Sequence, residues 1–386
     1  MLIVHNPVHH LHQGRHEMFR GRLVPCHEVP DRLDHVLAEL RRRPIGSLQT
    51  PPAIDAATLR PALEGVHSAR YLDFLAGAWD EWVALDPANA QLDALPSVWP
   101  ERGMRHDVLP QNFAARLGLF SFDAGTPLTA GTWAAACAGA ACAVTAALFV
   151  ADTGARCAFA LTRPPGHHAG VDFFGGCSFL NNAAIAAQTL RDKGFARVAV
   201  LDVDYHHGNG TQSIFYERAD VLTVSVHGDP MTEYPFFLGH ADERGAGAGA
   251  GFNLNLPLPR GTGFARWREA LQTGLAAVRD FDAQALVVPL GLDTFAGDPI
   301  SGFQLQSADY LALGRDLASA GPHGVRLRRG LCRRRSRRQC RERARRVSVR
   351  RVIGRRKEPP THLVRVVDRA HFRVGRARLH IPAPQV

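Results

Sequence analysis

Four short runs of the chain are apolar on both faces: CAFALT at 157–162, RVAVLDV at 197–203, VLTVSVH at 221–227 and ALVVPL at 285–290. Runs of this length, β-rich and without polar alternation, suit strands buried inside a parallel sheet. Between them, NAAIAAQTLRDKG at 182–194 and ARWREALQTGLAAVRD at 265–280 carry helical spacing, the first ending at a glycine. The alternation predicts an α/β layered fold with a parallel sheet between helices. AGTWAAACAGAACAVTAALFV at 130–150 reads as a buried helix entered from a Thr/Gly turn. Residues 86–128, rich in Pro, Gly, Asp and Asn, predict a long loop of the kind that carries function.

Beyond about residue 320 the pattern stops. GVRLRRGLCRRRSRRQCRERARRVSVRRVIGRRK has neither strand alternation nor a helical stripe. Residues 321–386 hold 22 of the 46 Lys and Arg but three of the 36 acids, which leaves the tail at +19 and residues 1–320 at −9. The expected organisation is therefore one domain over 1–320 and a disordered, basic, Arg-rich tail over 321–386. The acidic body gives no general basic surface for nucleic acid, and it suits a cationic substrate. The chain has no run of about 18 uninterrupted apolar residues, so no membrane span is expected. Its seven cysteines form no CxxC pair, which fits free thiols in a reducing cytoplasm.

The strongest chemical signal is LDVDYHHGNG at 201–210, directly after an apolar run. Ligands bind at the carboxyl ends of strands in open α/β sheets. Asp204 and His206, with Asp293 from VVPLGLDTF at 287–295, make three oxygen and nitrogen ligands with a position left for water, a catalytic set rather than a structural one. RPPGHHAG at 163–170 supplies His167 and His168, suited to general acid–base work, with Asp202 and Asn209 placed to fix their tautomers. Any one of these is more often a capped turn or a satisfied core group; three strand ends together point to a site. His-rich 5–17 (HNPVHHLHQGRHE) reads as a structural loop rather than a second metal site. ERGAGAGAGFN at 243–253 lacks the Lys-Ser/Thr of a phosphate loop and reads as a flexible rim of the site mouth.

Taken together, RPPGHHAG, FFGGCSFLNNAA, LDVDYHHGNGTQ, VSVHGDP and GLDTFAGDP resemble the zinc-dependent histone deacetylase family, in particular its acetylpolyamine amidohydrolase branch. The resemblance runs to about residue 320. It implies the arginase/deacetylase fold, a central parallel sheet of about eight strands flanked by helices, and hydrolysis of acetylated amines to acetate and amine. It implies Zn²⁺ on Asp204, His206 and Asp293; His167, His168, Asp202 and Asn209 as catalytic groups, His168 the general base and acid; and Gly176, Cys177 and Tyr234 along the substrate tunnel. A K⁺ site around Asp202, Asp204, His206, Ser225 and Val226 and a homodimer narrowing the entrance are implied as well. A ureohydrolase on the same fold would need a further metal-binding Asp beside Asp293, and the nearest is Asp298.

Three departures bear on activity. Position 177 is Cys where the family has an aromatic wall. In 105–128 the only acids are Asp107 and Asp123, in place of two polyamine-selecting glutamates, so the substrate is a small acetylated amine or polyamine, or an acetyl-lysine peptide. The glycine-rich turn with a catalytic Tyr, expected near residue 332, is missing, so the alternative is a catalytically impaired zinc- or acetyl-amine-binding homologue. With synonymous codons chosen freely, the stretch from Pro322 to Arg350, read one base later, can encode PTASVFDEGYAVADLGVNAVNVLEGFLS. That string has an apolar strand, a Tyr turn and a helix in the order the resemblance demands, so the tail is expected to be out of frame.

Overall fold

In the computed structural model, residues 1–53, 56–319 and 362–369 are described. Along the chain come β1 (Leu2–His5), β2 (His16–Phe19), β3 (Arg22–Pro25), α1 (Asp31–Arg42), β4 (Ser47–Gln49), α2 (Ala56–Glu64), α3 (Ala69–Leu85), α4 (Phe113–Leu119), α5 (Thr132–Thr153) and β5 (Cys157–Leu161). Then follow α6 (Asn182–Asp192), β6 (Val198–Asp202), α7 (Asn209–Phe215), β7 (Val221–Gly228), β8 (Asn253–Leu258), α8 (Phe264–Asp280), β9 (Ala285–Gly291), α9 (Ser307–Ser319) and β10 (His362–Arg369). Eight strands form one sheet in the order β4-β1-β5-β10-β9-β6-β7-β8, every neighbouring pair parallel. β2 and β3 form a separate antiparallel hairpin.

The buried runs work with period two. Val200 and Val287 face a core built with α2, α3, α5 and α6, while Leu201, Leu286 and Val288 face Trp267, Leu271 and Leu275 of α8 and Leu313 of α9. A smaller cluster sets Leu33 and Leu37 of α1 against Ile3, Phe159 and Leu161. Both faces of the sheet are covered, which is why its strands read as continuous apolar runs. α5 is long and apolar enough to cross a membrane by length and composition alone, yet its alanines pack into the core against α6 and β5.

Two expectations change. Within 86–128, α4 interrupts the loop, because Asn112 accepts the Ala115 N–H at 3.1 Å as an N-cap and Phe113 and Leu117 are buried one turn apart. Within 321–386, His362–Arg369 is a strand in the sheet, not disordered tail: Leu363 pairs with Cys157 and Leu286, and Val364 with Ala158 and Val287. Between β5 and β9 two rows of backbone groups need partners, and HLVRVV has the β-branched residues to supply them. The segment 320–361, with the expected Tyr turn, lies outside the described residues.

A buried histidine ties the loops around the site. His67 Nδ1–H donates to Gly170 O at 2.7 Å, and Nε2 accepts the Asn181 N–H at 2.9 Å. Burial pushes its pKa down to about 4.

Candidate active site

β6 ends at Asp202, with Asp204 and His206 in the turn that follows and Asn209 opening α7; Asp293 stands two residues past the end of β9, and His167 and His168 follow β5. Strand carboxyl ends thus bring together groups up to 126 positions apart, His167 to Asp293.

Asp204, His206 and Asp293 each place a ligand atom within 4.8 Å of the others, and all three are buried. The main chain orients the carboxylates: His206 N–H donates to Asp204 Oδ1 at 2.8 Å and Tyr205 N–H to Asp293 Oδ1 at 2.9 Å. His206 Nδ1 lies 2.9 Å from Asp293 Oδ2 and 3.4 Å from Asp204 Oδ1. Burial first, and the neighbouring Asp204 charge second, push the Asp293 carboxyl above its usual range. A divalent cation among these groups removes that penalty, and an oxygen and nitrogen donor set without thiolate is the set a catalytic first-row metal takes. Gly291 lets β9 pass so close that a Cβ there would strike the Asp204 carboxylate. These residues fit a metal ion. Among the described residues this is the one such group, and Asp298 adds no second metal site.

The histidine pair adjoins it. The rings of His167 and His168 are 4.0 Å apart and fully buried; His167 Nε2 is 3.8 Å from Asp204 Oδ1, and the His168 ring is 6.2 Å from that of His206. His167 Nδ1 faces Asp202 Oδ2 at 2.9 Å and His168 Nδ1 faces Asn209 Oδ1 at 2.7 Å. Both partners accept, so each ring carries its proton on Nδ1 and turns Nε2 inward. The partners differ in charge: Asp202 can balance an imidazolium on His167, whereas Asn209 fixes the tautomer of His168 alone. Asp202 in turn accepts the Asp204 N–H at 3.0 Å.

Aromatic rings wall His168. Tyr234 meets it edge-on at 5.2 Å and 86°, Phe122 stacks on Tyr234 at 5.9 Å, and Phe173 packs edge-on against Phe122 at 5.6 Å. Gly176, at φ 53°, lies on the imidazole so closely that a Cβ would overlap the ring. Cys177, half-buried at φ 63°, donates its N–H to Thr126 Oγ1 at 2.9 Å. Gly176 and Tyr234 thus both border His168. Phe122, Phe173 and Asp123 were missed as site residues, although Phe173 opens the FFGGC run and Phe122 adjoins Asp123 in SFDAG.

Two sequence readings resolve differently. The N-terminal histidines hold Arg163, which donates from Nη1 to the carbonyls of His9 and His12 and from Nε to Glu28 at 2.8 Å. The glycine segment is not a rim of the site: Gly249 packs on the backbone of Tyr216–Arg218 and Ala246 N–H donates to Tyr216 O at 2.9 Å, beside the start of β7.

A Histone deacetylase domain model matches residues 26–327, most of the chain. The chain belongs to the histone deacetylase family. It is 48% identical over 321 residues to Acetylpolyamine amidohydrolase 2 of Pseudomonas aeruginosa, covering 83% of this chain and 91% of that protein. Acetylpolyamine amidohydrolase of Mycoplana ramosa is 44% identical, with 83% and 92% covered. A crystal structure of acetylpolyamine aminohydrolase from Burkholderia pseudomallei superposes with a TM-score of 0.77 at 34% identity, over 95% of this chain and 93% of that one. As a member of the histone deacetylase family the chain is a hydrolase of the amidohydrolase, or deacetylase, class, and its family is metal-dependent.

Proposed function

We propose that the chain is a zinc-dependent deacetylase of small acetylated polyamines, releasing acetate and the free amine. The observation that carries this reading is the buried Asp204–His206–Asp293 group beside His168, itself tautomer-fixed by Asn209. Bound zinc would supply Lewis acidity toward the acetamide carbonyl and lower the pKa of water toward ~7. His168 Nε2 takes the proton of the attacking water as its oxygen joins the carbonyl carbon, then returns it to the nitrogen as the C–N bond breaks. His167, backed by Asp202, balances developing negative charge. Tyr234, Gly176 and Cys177 line the approach.

Polyamine preference is supported by the names of the relatives and by the body charge of −9, which concentrates cations. A monovalent K⁺ is part of the reading: Asp202 and Ser225 are register neighbours beside a small cavity lined also by Gln212, Asn253 and Asn255. A homodimer and cytoplasmic residence complete it, the latter supported by five free cysteines among the described residues. Acetate release from an N-acetylated polyamine and from an acetyl-lysine peptide, with the chain stripped of metal and then reloaded with Zn²⁺, tests the proposal. Turnover restored by zinc and faster on the polyamine is expected. Absence of acetate after reloading would leave the impaired-homologue reading standing.

A second reading concerns the tail: residues from about 322 are out of frame. It is supported by the end of the family match at residue 327 and by Arg365 standing in register between Phe159 and Val288 in the middle of the sheet. Sequencing the gene across the codons for 315–350 tests it; codons incompatible with the shifted string would refute it.

A further inference from the structure

We infer that Asp123 is a positioning residue that ties together two of the surfaces packed on His168. A single oxygen, Asp123 Oδ2, accepts the Gly176 N–H at 2.7 Å and the Tyr234 O–H at 2.5 Å. Gly176 and the Tyr234 ring are two of the surfaces against the His168 imidazole, one in contact with it and one edge-on at 5.2 Å, beside the His167 ring at 4.0 Å. The other oxygen, Oδ1, accepts the Gly125 N–H at 3.0 Å, an Asx turn that fixes the carboxylate itself. The same loop binds the next peptide, where Thr126 Oγ1 accepts the Cys177 N–H. His168 is held along its edge by Asn209, but a hydrogen bond at Nδ1 leaves the ring free to rock about that bond. Besides the His167 ring, two walls that limit such rocking come from distant segments, at 176 and 234, and one half-buried carboxylate is what they share. Phe122 adjoins Asp123 in the chain and stacks on Tyr234, so the clamp carries a third wall.

The inference rests on His168 as the proton-transfer group. The test compares Asp123→Ala, Asp123→Asn and Tyr234→Phe, alone and with Asp123→Ala and Tyr234→Phe combined, in the full metal-loaded chain. Loss of alignment rather than of binding predicts kcat lower by ~10-fold for Asp123→Ala with KM changed by less than about twofold. Asp123→Asn keeps one acceptor oxygen and is expected to recover most of that loss. The double variant is expected to cost less than the product of its parts, because both remove one contact. Exchange of the Gly176 amide, followed in ¹⁵N-glycine-labelled protein, is expected to quicken in Asp123→Ala and not in Tyr234→Phe. That readout needs no turnover, so it separates failure of the clamp from failure of the deacetylase reading. Unchanged Gly176 exchange in Asp123→Ala, fully multiplicative kcat losses, or an Asp123→Asn defect confined to KM for cationic substrates would each overturn the clamp, the last by making Asp123 a charge that binds substrate.

Discussion

β9 and β10 lie side by side in the sheet, in parallel register from Ala285↔His362 onward, and they show how differently two neighbouring strands can serve one site. β9 is apolar along its length, is buried on both faces, and carries its chain straight on to Asp293. β10 sets Arg365 opposite Val288 and ends at Arg369, opposite Gly291, the residue that makes room for Asp204. One strand leads from the core into the chemistry, while the other is placed by its backbone pairing on both sides.

The sharpest way to break this comparison is at the strand ends. Asp293→Ala, like Asp204→Ala and His206→Ala, is expected to abolish bound zinc by elemental analysis and to cut turnover by more than ~10³-fold. Arg369→Ala, its counterpart on β10, should change turnover by less than about twofold. Equal effects at the two ends would end the distinction. His168→Ala is expected to keep its metal and lose ~10²–10⁴ in kcat, since its part is proton transfer; near-normal turnover would place the base elsewhere. Replacing the chain from 322 onward with the shifted-frame string is expected to raise turnover by ~10²–10³ by restoring a donor to the developing oxyanion. No gain in rate would leave β10 as the proper occupant of its slot.

Stability gives the smaller effects. Val288→Arg puts a charge on a fully buried position of β9 and should cost more than about 4 kcal/mol, seen as loss of folded protein in a denaturant titration. Last is a pH effect that spares neither strand in particular. His12, His67 and His227 are buried with pKa values lowered to about 4, burial being the main cause in each. Between about pH 6.5 and 4 the unfolded chain binds their protons and the folded chain does not, so stability falls with acidification, by at most about 1.4 kcal/mol per pH unit for each group. His67→Gln should flatten that slope; an unaltered slope would mean His67 is not titrating.

The Asp204–His206–Asp293 group and the histidine pair could be brought together from the sequence because each sits in a short motif directly after an apolar run. There, strand geometry converts nearness in sequence into nearness in space. The buried strands β5, β6, β7 and β9 were legible for the same reason. β1, only four residues long, and β8, an edge strand with mixed burial, lacked that signal. Asp123 could not be read as a strut, since its partners at 176 and 234 meet it only through the tertiary fold. β10 was hidden by its surroundings: HLVRVVDR is a short apolar run inside a tail whose overall charge of +19 dominates the reading.

The strand order has a consequence for how the protein is made. The last strand among the described residues enters the centre of the sheet, not its edge. As the chain leaves the ribosome, β5 and β9 are both synthesised long before the strand that joins them. Until then each offers an open row of amides and carbonyls to any passing strand. The His pair follows the strand on one side of that gap and Asp293 the strand on the other, so until β10 enters only side-chain and loop contacts such as His167 to Asp202 span the two halves of the chemistry.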